Sequence, residues 1–106
     1  MPRLAFHAIP SETVQAAHPA LMADFGTILG PAAAHTVFEV VQSTFIPAPS
    51  FPFVEVALFD RGPEIQDALA RSLTQRLKEA GCASIDIAFR RMEPRGYYED
   101  GAALGV

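Results

Sequence analysis

The chain has 106 residues, of which half are hydrophobic, and its eight Lys and Arg against twelve Asp and Glu give a net charge of −4. This length is typical of one domain, and an acidic chain without a basic run is a poor partner for nucleic acid. The single cysteine, Cys82, excludes an intramolecular disulfide and a cysteine-rich metal site. Because the chain has neither a run of about 18 apolar residues nor a signal-peptide pattern, we expect a cytoplasmic protein that does not enter a membrane.

A proline opens the first predicted strand. Apolar and more polar residues alternate in residues 3–8, RLAFHA, as in a strand with one face on a core. If Met1 is removed, Pro2 carries a free secondary amine that its ring and the strand behind it hold rigid. Proline is also simply tolerated at the first position of a strand, so the rest of the chain has to support a functional reading.

A helix is predicted over about residues 12–29, with Ser11 as its N-cap. Pro19 lies inside this segment and leaves two alternatives. Either Pro19 kinks the helix, or the ordered helix starts near His18 with Pro19 in its first turn. Gly30 and the proline after it end the element.

Residues 35–46 predict a second strand that is apolar on both faces. Val37 and Val41 would face one way, and Phe38 and Val40 the other. One layer of helices can cover only one face of a sheet. We therefore expect a partner subunit to cover the other face.

The second half of the chain repeats the order of the first. After a proline-dense linker at residues 47–51, a strand is predicted over residues 53–59, and a turn leads to a helix that starts at Pro63. Apolar residues recur every four positions in this helix: Ile65, Leu69, Leu73 and Leu77. Gly81 is expected to end it.

A last strand is predicted over residues 84–91, and a short tail follows it. The domain therefore consists of a β-α-β unit at 2–46, the linker at 47–51, a second unit at 52–91 and a tail at 92–106, all within residues 1–106. Parallel pairing within each unit predicts an α+β fold, a four-stranded mixed sheet with two helices on one face. Strand parity places charges of both signs on the other face: Arg3, His7, Glu39, Glu55, Asp86 and Arg90.

This pattern resembles the tautomerase superfamily, which includes 4-oxalocrotonate tautomerase and macrophage migration inhibitory factor (MIF). The resemblance covers essentially the whole chain. Segments 37–46 (VFEVVQSTFI), 52–62 (PFVEVALFDRG) and 96–101 (GYYEDG) are similar to a bacterial branch of that superfamily. It implies a tautomerase/MIF-like fold, a homotrimer whose sheets surround a central axis, and catalysis by the amine of Pro2 as general base.

The resemblance also suggests residues around the base. Arg61 is the best remaining cation, because cytokine-like members carry a lysine where this chain has Pro31; its plain alternative is an ion pair with Asp60. Arg3 is expected to point away from Pro2. Aromatic residues are predicted to line or close the substrate site, with core or interface packing as their alternative: Phe38, Phe59, Tyr97 and Tyr98.

Three functions remain open at this level. The first is keto-enol tautomerisation of a small carbonyl compound or keto acid with Pro2 as the base. The second is a hydratase or dehalogenase that keeps Pro2 protonated and activates water with a carboxylate, for which Glu39 is the candidate. The third is a non-catalytic trimeric binding or structural protein of the same fold. No cofactor is expected, because His7 and His35 lack companion ligands at metal-binding spacing and no glycine loop for phosphate is present.

Overall fold

The computed structural model describes residues 2–48 and 52–105. The first β-α-β unit consists of β1 (Arg3–His7), α1 (Ser11–Leu29) and β2 (Val37–Val41), and the second of β3 (Phe53–Phe59), α2 (Pro63–Glu79) and β4 (Asp86–Met92). A 3-10 helix (Gly30–His35) joins α1 to β2. After β4, a 3-10 turn (Pro94–Gly96) leads into a small hairpin of β5 (Tyr98–Glu99) and β6 (Ala102–Ala103).

The four long strands form one mixed sheet in the order β2-β1-β3-β4. The two outer pairs, β1–β2 and β3–β4, are parallel, while β1 and β3 pair antiparallel at the centre of the sheet. The predicted four-stranded mixed sheet with two helices is thus confirmed. No helix among the described residues is long and apolar enough to cross a membrane.

The two units begin with the same hydrogen bond. The amide of Val37 donates to the carbonyl oxygen of Pro2 at 3.0 Å, and the amide of Asp86 donates to the carbonyl oxygen of Pro52 at 3.1 Å. A proline therefore precedes each inner strand, and its carbonyl starts the parallel ladder with the outer strand.

The core lies between the sheet and the two helices. The even-numbered positions of β1 and β3 and one stripe of each helix are almost fully buried: Leu4, Phe6, Val54, Val56 and Leu58 on the sheet, Val14, Ala17, Leu21, Phe25 and Leu29 on α1, and Leu69, Leu73 and Leu77 on α2. The four-residue repeat predicted for the second helix is confirmed, with Ile65 packing at the margin of this core.

The start of α1 differs from the prediction. Pro10 occupies the N-cap position, and Ser11 is the first helical residue without a capping hydrogen bond. The hydroxyl of Ser11 instead accepts a bond from Nε2 of Gln15 at 3.2 Å. The helix continues through Pro19 to Leu29, so a start near His18 is wrong.

The second strand is shorter than predicted. β2 ends at Val41, which pairs with His7, the last residue of β1. The residue that follows β1, Ala8, has φ of 58°, a left-handed conformation that turns the backbone away from the strand direction. Residues beyond Val41 consequently have no ladder partner on β1. Of the predicted linker, residues 49–51 lie outside the described part of the chain.

Candidate functional site

A cavity of about 900 Å³ opens at the end of the sheet where the first strand begins. Its walls come from the start of β1, the 3-10 helix after α1, the start of β2, the end of β3 and the C-terminal hairpin. Four of the residues predicted for a site border it together: Pro2, Phe59, Arg61 and Tyr97. It is therefore the candidate site.

Pro2 is held firmly at this cavity. Its side chain is almost completely buried, and its carbonyl oxygen accepts the hydrogen bond from Val37 described above. The ring fixes φ of the residue as well. An amine at this position would have little freedom to change its direction.

Arg61 reaches the cavity from the turn between β3 and α2. Oδ1 of Asp60 accepts a bond from the amide of Gly62 at 3.0 Å, and Gly62 has φ of 93°, a conformation that favours glycine. Arg61 follows Asp60 in this turn and borders the cavity, and its Nη1 lies 3.5 Å from the carbonyl oxygen of Leu29. The alternative prediction was an ion pair between Arg61 and Asp60. Asp60 instead pairs with Arg91 at 3.5 Å.

Two aromatic side chains link the sheet to the C-terminal hairpin. The rings of Phe59 and Tyr97 meet edge to face, with centroids 5.7 Å apart and planes at 83°. The carbonyl oxygen of Tyr97 accepts a bond from the amide of Leu104 at 2.8 Å. This bond joins the residue before β5 to the residue after β6. The hairpin thus builds one wall of the cavity within the same chain.

Tyr98 and Phe38 are not brought to the cavity. Tyr98 is 55 % exposed, and its hydroxyl accepts a bond from Nη1 of Arg95 at 2.8 Å. Phe38 pairs with Leu4 in the sheet and packs in the core, with its ring centroid 5.4 Å from that of Phe6. Of these two aromatic residues, Phe38 takes the core packing that was its alternative.

The cavity also contains residues that the sequence did not indicate. Arg3 borders it, although its side chain was expected to point away from Pro2, and Arg3 also borders a groove on the open face of the sheet. Thr36 and Glu99 lie on the wall too, while the carboxylate predicted for water activation, Glu39, borders only the groove. No single segment of the sequence signals these residues, because the wall forms only when distant segments meet.

The open face of the sheet carries paired charges within one chain. Glu55 lies between His7 at 3.1 Å and Arg90 at 2.7 Å. The His7 ring stacks on Phe53, with centroids 4.4 Å apart and planes at 7°. Within residues 2–48 and 52–105, no group of three or more His, Cys, Asp or Glu side chains is placed to hold a metal ion.

Comparison with known proteins gives a family and a fold. A family model described as a domain of unknown function, DUF1904, matches residues 1–103. A DUF1904 domain from Sebaldella termitidis is 30 % identical with a TM-score of 0.83, and the alignment covers 96 % of this chain and 98 % of that one. A protein of unknown function from Vibrio cholerae is 26 % identical with a TM-score of 0.86, covering 96 % and 86 %.

More distant structures show the same fold with different sequences. A fused 4-OT described as an asymmetric trimer superposes with a TM-score of 0.72 at 12 % identity, covering 96 % of this chain and 95 % of that one. The resemblance to the tautomerase superfamily is thereby confirmed at the level of the fold. No protein of curated function matches the sequence.

Proposed function

The chain belongs to the DUF1904 family and has the tautomerase fold, and from this premise we propose that it is a tautomerase whose base is the secondary amine of Pro2. Its substrate is a small enolisable carbonyl compound such as a keto acid. The observation that carries the proposal is the placement of Pro2, buried at the start of β1, on the wall of the cavity that Arg61 also borders.

The chemistry requires a neutral amine at neutral pH. An α-amine has a pKa of about 7.7–8.0 in water, and burial among apolar groups or a nearby cation favours its neutral form. Pro2 shares the cavity wall with Leu29 and Leu58, and among the described residues of that wall two arginines outnumber the one carboxylate, that of Glu99. These surroundings favour an unprotonated base.

The proposed reaction moves one proton and needs no other reactant. The Pro2 nitrogen takes a proton from the carbon next to the carbonyl group, and the electrons of that C–H bond form the enolate. The guanidinium of Arg61 stabilises the negative oxygen. The amine then returns the proton at the alternative carbon or oxygen, which regenerates the base.

Replacing the base tests the proposal directly. We expect Pro2→Ala to lower the rate of ketonisation of phenylenolpyruvate and 2-hydroxymuconate by roughly 10²–10⁴, the usual contribution of a general base. Intact mass first establishes that Met1 has been removed from both proteins, and absorbance then follows the reaction. Covalent labelling by 3-bromopropiolate, mapped to residue 2, measures the reactivity of the amine separately from turnover.

The matched control is Pro52→Ala. Pro52 occupies the equivalent place in the second unit and does not border the cavity, so its replacement should leave the rate within a factor of two or so of wild type. Equal rates for wild type and Pro2→Ala would refute the proposal. A wild-type protein that has lost Met1 yet neither reacts nor takes up label would point to the non-catalytic binding protein.

Glu99 favours a second candidate function. Its side chain borders the same cavity as Pro2, where a carboxylate could activate water for addition to an unsaturated acid while the protonated amine donates a proton. Glu99 replaces Glu39, the residue predicted for this role, because Glu39 does not border the cavity. NMR of the reaction products distinguishes the two functions, because tautomerisation leaves the molecular formula of the substrate unchanged and hydration adds one water molecule.

We also propose that the protein assembles as a homotrimer through the open face of its sheet. Val37 is 50 % exposed in the single chain, and a groove between Arg3, Glu39 and Arg90 runs along the same face. A second copy seated there would cover these apolar and charged side chains. The trimeric state of the fused 4-OT structure supports this arrangement.

A further inference from the structure

Thr36 has a buried hydroxyl without a partner. Its Oγ1 atom is shielded from solvent and makes no hydrogen bond with any residue that the structure describes. A buried hydroxyl in this condition lowers stability, because it has lost its bonds to water and gained none. Such a group at the wall of a cavity indicates a partner that appears only after processing of the chain or on binding of a ligand.

The backbone fixes the position of this hydroxyl. The amide of Thr36 donates to the carbonyl oxygen of Ala33 at 3.1 Å, and the next amide, that of Val37, donates to Pro2. Threonine is branched at Cβ and has few χ1 rotamers in an extended backbone. The backbone that carries this hydroxyl is therefore held in place on both sides of Thr36.

The sheet register sets Thr36 beside Pro2. Arg3 pairs with Val37 and Leu4 pairs with Phe38 in the parallel ladder, so one step back along both strands places Thr36 opposite Pro2. Opposite residues of a ladder project from the same face of the sheet. Both residues border the candidate cavity.

We propose that Thr36 is a positioning residue for Pro2, whose amine N–H donates a hydrogen bond to the Thr36 hydroxyl. The inference rests on the proposed function, since it requires Pro2 to be the first residue of the mature protein. A neutral secondary amine has one N–H and one lone pair. When Thr36 binds the N–H, the lone pair is left directed at the cavity, where a substrate carbon would give up its proton.

The alternative is that Thr36 only fills space in the wall. Valine has nearly the same shape without the hydroxyl, so Thr36→Val separates the two readings. A space-filling threonine predicts higher thermal stability in the variant, because an unsatisfied buried group has been removed, and no change at Pro2. A positioning threonine predicts altered chemistry at Pro2.

The test follows the amine rather than turnover. ¹⁵N-proline labelling and NMR give the pKa of the Pro2 amine, and the rate of 3-bromopropiolate labelling gives its reactivity across pH. We expect Thr36→Val to lower that pKa by about half a unit, because the hydroxyl accepts bonds best from the protonated amine. Labelling above both pKa values should slow roughly tenfold, because the lone pair is no longer held in one direction.

Two further variants serve as controls. Thr36→Ser retains the hydroxyl and should restore both measurements toward wild type. Thr27→Val removes an exposed hydroxyl of α1 and should change neither. The charged groups bordering the cavity are the same in all variants, so they do not account for a difference: Arg3, His35, Arg61 and Glu99.

Each outcome decides something. A Thr36→Val protein that titrates and labels like wild type overturns the positioning role, while the Pro2 base proposal still stands on its own assay. A shifted pKa in a protein that ketonises no substrate supports the role of Thr36 and refutes the tautomerase. Retention of Met1 overturns both.

Discussion

At the scale of single residues, Arg61 is the cation whose position the turn before α2 determines. Its one hydrogen bond in the described structure is long, 3.5 Å to a backbone carbonyl, and no carboxylate neutralises it there. An arginine held this loosely keeps most of its donors available for a ligand. The cavity that Pro2 borders thus has on its wall a cation without a carboxylate partner among the described residues.

Removing this guanidinium should harm catalysis more than folding. We expect Arg61→Ala to lower kcat for ketonisation roughly 10²-fold, the typical loss when one donor to a developing oxyanion is removed. The kcat of Arg61→Lys should fall between those of wild type and Arg61→Ala, because lysine keeps the charge without the forked geometry. Steady-state kinetics with phenylenolpyruvate measures the effect.

Arg71→Ala provides the control, because Arg71 is exposed on α2 and away from the cavity. Equal losses in the two alanine variants would show that net charge, rather than placement, is responsible. Unchanged kcat in Arg61→Ala would leave the enolate without its proposed partner and refute that role.

The sequence was sufficient to identify residues whose place in the fold depends only on nearby residues of the chain. Pro2 begins a strand, and Arg61 lies in a turn between a strand and a helix, so local pattern indicated their positions in the fold, while their proposed roles came from the resemblance. Phe38 packs against the core, which was the alternative to lining the site, in agreement with the strand parity that set it on the face of Val40. Thr36 and Glu99 were missed because their nearness to Pro2 depends on the register of β2 and on the hairpin after β4.

At the scale of elements, the two helices are joined by an ion pair on their outer side. Asp24 of α1 accepts bonds from Nε and Nη2 of Arg76 at 2.8 and 3.1 Å and from the hydroxyl of Ser72 at 2.8 Å. The bonds from Arg76, and then that from Ser72, lower the pKa of the Asp24 carboxyl below its ordinary value. The pair therefore favours the docking of α1 on α2 while the carboxyl is charged.

This link predicts a pH-dependent contribution to stability. Because the folded pKa of Asp24 is lower than the unfolded one of about 3.9, the stabilisation is present above that value and is lost as the pH falls through the folded pKa. We expect Asp24→Asn to lower Tm by roughly 4 °C at pH 7. The difference from wild type should shrink in acid, and calorimetry between pH 2.5 and 7 measures it.

Asp67→Asn removes an exposed carboxylate of α2 and should shift Tm little at any pH. A difference for Asp24→Asn that stays constant down to pH 2.5 would contradict the assigned ion pair.

Helices were easier to predict than the ends of strands. The four-residue apolar repeat of α2 and its Pro63 start depend only on the local sequence, and both are confirmed. The end of β2 depends on β1, which stops at His7 because Ala8 turns left-handed. Nothing in residues 42–46 themselves shows that their partner strand has ended.

At the scale of the whole molecule, the proposed assembly places a second copy of the chain on the open face of the sheet. Ala5 lies at its centre and pairs with Glu39 on one side and Glu55 on the other. A lysine at this position would find two carboxylates in the single chain, but its length would block another subunit from packing on the face. Ala5→Lys therefore disturbs assembly while favouring the isolated fold.

We expect wild type to sediment at about three times the chain mass of 11.4 kDa and Ala5→Lys at the mass of one chain. Ala16→Lys, on an exposed position of α1, should remain trimeric. Circular dichroism checks that both variants are folded. A monomeric wild type, or a trimeric Ala5→Lys, would refute assembly through this face.

The paired carbonyl bonds of Pro2 and Pro52 have a consequence for protein engineering. Because the two prolines start equivalent ladders, linking residue 106 to residue 2 and opening the chain before Pro52 would give a circular permutant with a new amine at the equivalent place of the other unit. That amine would lack Arg61 and Thr36 beside it. Comparing its titration with that of Pro2 would measure what the surrounding residues contribute to a proline base within one and the same sheet.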